Sequence, residues 1–196
     1  MVARLRKAFS VALIVLFAFA SWAAAQPFGS GLFQTNPESG YWLANGPGHR
    51  VDLHNTTTNV GAAIQWAMVN ALDNPTVMNV TLWDGENHDV RVVDADYGPS
   101  FPAAWVSCPP GGDSGAHPNK TCYGQKLHWN LNEGYEGTND TLHERRSRAC
   151  HELGHTVGLG HAPWDADSCM AFALPANRPK TYSNHDINQH INPHYG

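Results

Sequence analysis

A chain of 196 residues with a formal net charge of -5 is long enough for one domain with a sizeable core. Beyond the first seven positions the one basic cluster is Arg145, Arg146 and Arg148, which reads as the solvated face of a helix, so no nucleic-acid partner is expected.

Arg4, Arg6 and Lys7 precede an apolar run from Ala8 to Ala20, and Ala23-Ala24-Ala25 offers the small residues of a cleavage site. The reading is a signal peptide over residues 1–25, whose removal from 196 residues would leave 171. The apolar run falls short of the ~20 residues that a membrane span needs. The expected location is therefore extracellular, with no stable membrane association after cleavage. Residues 26–48 are rich in Gly, Pro, Asn and Ser and read as an irregular lead-in or short propeptide, which leaves 49–196 as the domain proper.

Arg50 to Leu53 predicts a first strand. Thr57 or Thr58 can cap a helix running to about Leu72, with Val60, Ile64, Ala67, Met68 and Ala71 as an apolar stripe read as core packing. Val77 to Trp83 and Val90 to Val93 predict strands, separated by turn chemistry in Asp84-Gly85-Glu86-Asn87-His88-Asp89. These acidic residues, with Asp94 and Asp96, match no standard calcium loop and are read as a solvated turn, so calcium is unsupported. Ala103 to Ser107 is a further short strand. Between Lys126 and Asn132 polar residues alternate with Leu127, Trp129 and Leu131, the pattern of a half-buried strand with His128 at the surface. Thr141-Leu142-His143-Glu144 is a capping box that opens a helix running to Val157.

That helix carries the chemistry. His151 and His155 lie four apart, so both rings project from one helical face and can bind one metal ion, with Glu152 beside them to work on a water. Gly158 can take positive φ without steric cost, ending the helix and folding His161 back as a third ligand. Three protein ligands leave one position open, as a catalytic zinc site requires, whereas a structural site usually closes its fourth position with Cys or His. The remaining histidines, His49, His54, His88, His117, His143, His185, His190 and His194, have no comparable constellation and are read as surface or core residues.

The run His151-Glu152-Leu153-Gly154-His155-Thr156-Val157-Gly158-Leu159-Gly160-His161 resembles the HExxHxxGxxH pattern of the metzincin zinc peptidases. Met170, in Ser168-Cys169-Met170-Ala171, stands where that family keeps the methionine of its Met-turn. From His151 to Gly196 the chain is similar to the last part of a matrixin-like catalytic domain, through Asp186-Ile187-Asn188-Gln189-His190-Ile191 to the closing Tyr195-Gly196. The resemblance implies an α+β, zincin-like fold: a twisted mixed sheet, a long first helix, the active-site helix and an irregular C-terminal part. It implies one catalytic Zn²⁺ and hydrolysis of peptide bonds. Astacin-like relatives place a zinc-binding tyrosine two residues after the methionine, where this chain has Phe172. Oxyanion stabilisation is thus expected to fall mainly on the metal. By the same resemblance Ala171 to Pro175 would wall the substrate pocket, Phe172 and Leu174 giving it an apolar preference. Matrixins carry a structural-zinc histidine on the strand comparable to that of His128, but the His-x-Asp partner pattern is missing. Matrixin zymogens cap the metal with a prosegment cysteine, and residues 26–48 contain none, so latency by that route is not expected.

Four cysteines in an exported chain most simply make two disulfides, with three connectivities open. Position favours Cys150 with Cys169, which precede the first ligand and Met170, and Cys108 with Cys122 around a polar loop. The reading is a secreted, zinc-dependent endopeptidase, expected as a monomer acting on protein or peptide substrates, with Glu152 as general base and His151, His155 and His161 as ligands. The alternatives are a catalytically silent zinc-containing module that captures peptides, against which Glu152 speaks, and a zinc amidase acting on small amides.

Overall fold

The structure, a computed structural model, describes residues 42–115, 120–132, 141–162, 164–171 and 178–196. The signal-peptide reading at 1–25, the lead-in up to residue 41, His117 and the pocket wall from Phe172 to Pro175 lie outside these residues.

The described part is α+β, built on a five-stranded mixed sheet. Its strands are β1 (Gly48–Leu53), β2 (Asn79–Leu82), β3 (Val90–Ala95), β4 (Ala104–Ser107) and β7 (Gln125–Asn130), in the order β2-β1-β3-β7-β4. The pairs β1·β2, β1·β3 and β3·β7 are parallel, and β4 closes the edge antiparallel to β7. Parallel neighbours need a crossover, which α1 (Thr58–Ala67) supplies between β1 and β2. The Asp84 to Asp89 segment closes no hairpin, because β2 and β3 sit on opposite sides of β1. Burial explains the choice: Val90 and Val92 of β3 are fully buried and need neighbours on both sides, while Leu82 of β2 is 51% exposed and suits an edge.

One face of the sheet carries the helices. Val60, Ile64 and Ala67 of α1 are buried with Met68, Ala71 and Leu72 of the π-helical turns that continue it over Met68–Asp73. Thr57 is the N-cap by position, but its hydroxyl does not cap: its N–H and Oγ1 both donate to Asp94 Oδ2, at 2.7 and 2.8 Å. The second helix, α2 (Leu142–Thr156), opens with the expected capping box, the Glu144 N–H donating to Thr141 Oγ1 at 3.2 Å and the Thr141 N–H donating to Glu144 Oε2 at 2.6 Å. It buries Ala149, Cys150, Leu153 and the C-cap Val157 in the same core as Leu127, Trp129 and α1.

Three surface expectations are corrected. Arg148 is only 8% exposed and lies over the Trp129 ring at 4.9 Å, and Arg146 lies over Trp66 at 4.8 Å, so these two of the three arginines of α2 pack on indole faces rather than forming a solvated face. Asp89 is 3% exposed, accepting from the Arg50 N–H at 2.7 Å and Arg50 Nε at 3.1 Å; it is a buried ion-pair partner rather than part of a solvated turn. His128 is half-buried, stacked on Trp105 at 4.6 Å and bonded to Tyr97 Oη and Ser107 Oγ. The packed body also starts earlier than residue 49: Leu43 bridges to Thr121, and the Ala44 N–H donates to Tyr195 Oη at 2.9 Å.

The disulfides are Cys108–Cys122, beside the small hairpin of β5 (Asp113–Ser114) and β6 (Thr121–Cys122), and Cys150–Cys169. Both pairings agree with the expectation from position. A π-helical segment, Asp186–Ile191, leads into α3 (Asn192–Tyr195), where Tyr195 Oη donates to the Val157 carbonyl at 3.0 Å. Among the described residues no helix is long and apolar enough to cross a membrane.

Candidate metal centre

The end of α2 folds as its glycine dictates. Gly158 adopts φ +93°, the left-handed region, and the Leu159 N–H reaches back to the Gly154 carbonyl at 2.9 Å, so the chain reverses just past His155. Beyond the turn the Ala162 N–H donates to the Met170 carbonyl at 2.8 Å, and His161 returns over the helix. Its Nε2 stands 3.1 Å from that of His151.

His151, His155 and His161 each offer one ring nitrogen, and these atoms all lie within 4.8 Å of one another. The tautomers follow from the partners. His151 Nδ1 faces the Cys169 carbonyl and His155 Nδ1 faces the Leu159 carbonyl, each at 2.8 Å. A carbonyl only accepts, so both Nδ1 atoms carry the proton and both Nε2 atoms present a lone pair to the shared space. Nitrogens bound tetrahedrally at about 2.0–2.1 Å from a zinc ion lie roughly 3.3 Å apart, close to the separation of His151 and His161. Charge agrees as well. Burial, the Arg178 charge and His161 push His151 well below the ordinary histidine value; burial first, then His151 and His161, do the same to His155. Burial and then Arg178 lower His161 to about 4. All three are neutral near pH 7, the form that ligates a metal. The group could hold a metal ion, and imidazole donors suit zinc, copper, iron or nickel.

Glu152, 5% exposed, follows the first of these histidines on α2. Met170 lies beneath the helix, fully buried, and packs so closely that a Cβ on Gly154, between His151 and His155, would run into its sulfur. The Cys150–Cys169 bridge joins α2 to this turn one residue before His151 and one before Met170.

Several contributors carry no signal in the sequence. Tyr182, fully buried, donates its phenol to the Cys150 carbonyl at 2.9 Å; burial, then Asp186 and Glu152, hold it well above its ordinary value, so it braces the helix as a neutral donor. Asp186, 1% exposed, accepts from Ser168 Oγ and from the Ser183 N–H at 3.1 Å, while Ser168 Oγ also accepts from the Met170 N–H at 2.9 Å. Burial raises the Asp186 carboxyl above its ordinary value. Arg178, whose charge reaches all three histidines, follows the undescribed 172–177. Among the described residues no other group of three His, Cys, Asp or Glu side chains could hold a metal ion; Asp94 takes Thr57, and Asp96 takes Asn132 and the Gly98 N–H. No protein-family model matches the chain, and no curated protein matches it.

Proposed function

We propose that the chain is a secreted zinc endopeptidase of the metzincin type, with a matrixin-like arrangement of the parts behind its metal. The observation that carries the reading is the convergence of three neutral imidazoles with Glu152 buried beside them. His151, His155 and His161 would hold the ion. Zinc bound there supplies Lewis-acid polarisation of a carbonyl and makes a water acidic enough to deprotonate near neutral pH. Glu152, adjacent to the first ligand, serves as general base, taking the proton of the attacking water and returning it to the leaving amine. Tyr182, spent on the Cys150 carbonyl, braces the helix and leaves oxyanion stabilisation to the metal. Two disulfides support an oxidising, extracellular location.

The test is Glu152→Ala assayed on a mixed peptide library, with and without a zinc chelator. The expected protein still binds one zinc and loses about 10²–10⁴-fold or more in peptide hydrolysis, the contribution of a general base. A zinc-loaded Glu152→Ala protein turning over like wild type would remove Glu152 from the reaction. A wild-type protein that binds zinc and cleaves no peptide would instead favour a silent binding module.

A further inference from the structure

Three polar side chains meet in the core without reaching solvent: His49 on β1, Gln125 on β7 and Thr156 at the end of α2, each 0% exposed. Thr156 Oγ1 gives its one proton to the Leu153 carbonyl at 2.7 Å, so toward His49 Nε2, 2.9 Å away, it can only accept. His49 therefore carries its proton on Nε2. Burial lowers His49 to about 4 against the pull of Asp89, which keeps this donor in its neutral form at neutral pH. From the other side Gln125 Nε2 donates to the Thr156 carbonyl at 2.7 Å, one of the carbonyls that a helix end leaves without an intrahelical partner. The two strands are separated by β3, so a single residue is gripped by its side chain from one strand and by its backbone from another.

Thr156 stands between His155 and the Val157–Gly158 turn that returns His161. Meanwhile His49 Nδ1 and Gln125 Oε1 are buried with no hydrogen-bond partner among the described residues. Leaving such atoms unsatisfied costs free energy that an apolar pair of similar shape would avoid. Stability alone is thus a poor reason for a histidine and a glutamine at these places. We infer that His49 and Gln125 are positioning residues of the metal centre, clamping the last turn of α2 so that His155 and His161 stay directed at one point. The inference rests on the proposed metal site.

The experiment titrates zinc into the full folded chain against a chromophoric chelator, well below each variant's unfolding midpoint. His49→Leu and Gln125→Met should each bind zinc about tenfold more weakly or worse, the scale seen when a partner behind the ligands is lost. His49→Gln, whose Nε2 can donate from nearly the same place, should keep wild-type affinity. In the metal-free chain, amide hydrogen exchange at Val157 to Leu159 should quicken in the two apolar variants and not in His49→Gln. If His49→Leu does not fold, Thr156→Val removes the acceptor at almost unchanged volume and carries the same expectation. Wild-type zinc affinity in His49→Leu, or in Thr156→Val in its place, together with Gln125→Met, overturns the inference. A wild-type chain that binds no zinc would sink the site reading instead, while the exchange comparison, which needs no metal, still tests the clamp.

Discussion

Gly154→Ala is expected to destabilise the protein, against the ordinary rule for a helix interior. At an exposed helical site, replacing glycine with alanine stabilises by about 0.5–1 kcal/mol, because glycine has more backbone freedom to lose. At Gly154 the added Cβ would overlap Met170 Sδ and stand 3.0 Å from Tyr182 Cε1 and 3.2 Å from Met170 Cε. Neither neighbour has room to retreat: Met170 is 0% exposed, and Tyr182 is 4% exposed with its hydroxyl fixed on the Cys150 carbonyl. Overpacking of a dense core costs about 1–3 kcal/mol, and an overlap with a buried sulfur belongs in the upper half of that range, so after the helical gain of about 0.5–1 kcal/mol the net loss is about 1–2.5 kcal/mol. For a domain of this size that corresponds to a midpoint lower by about 2–10 °C. Displacing Met170 also displaces the Cys169 carbonyl that holds His151 Nδ1, so zinc retention should fall along with stability. Thermal unfolding of the metal-free protein, paired with a chelator titration, reads both. A Gly154→Ala protein that melts higher than wild type would refute the close packing of helix on methionine.

Replacing Cys150 and Cys169 together with serine opens a bridge of sequence separation 19, which the chain-entropy model values at about 3 kcal/mol; zinc should also leave faster than in a Cys108/Cys122 double variant of matched stability, and equal release rates would rule out a local clamp. His49 titrates near 4 when folded against an ordinary 6.5. Between those values the unfolded chain binds the additional proton, so stability rises with pH across the window and is lost as pH falls from 6.5 toward 4, by about 3 kcal/mol from this residue; His151 and His155 shift in the same direction. Urea midpoints of the metal-free protein at pH 7 and pH 4.5 measure it, and equal midpoints would contradict the shifts. Arg148→Ala strips a guanidinium and its methylene stem from Trp129 and should cost about 1–2 kcal/mol in urea unfolding, where a solvated arginine would cost almost nothing.

The grouping of His151, His155 and His161 is readable in the chain because its geometry is local. His151 and His155 are fixed by helical spacing, Gly158 by its need for positive φ, and the capping box by a hydrogen-bond exchange within four residues. The core stripe of α1 follows the same logic. What local pattern could not supply was the choice of distant partners. Val77 to Trp83 and Val90 to Val93 look like two arms of a hairpin, yet β1 lies between them, a choice made by the greater burial of β3. Arg146, Arg148, Asp89 and His128 are polar by residue type and read from sequence as surface groups, but Trp66, Trp129, Arg50 and Trp105 claim them from elsewhere in the chain. Asp186 gives no hint in its own segment that Ser168 and Ser183 will close on it.

The hydroxyl of Tyr195 has a consequence for the order in which the molecule matures. It accepts from the Ala44 N–H, 151 positions away, and donates to the carbonyl of Val157, the residue just before the turn that delivers His161. Loop closure over such a separation is entropically costly, and folding slows as the mean separation of contacting residues grows. The helix α2 can form early from its own cap and stripe, but the tie that fixes its far end waits for segments at both extremes of the described chain to meet. During refolding, helical signal should therefore recover before the capacity to capture a metal ion, and the interval between the two is set by chain topology rather than by ligand chemistry.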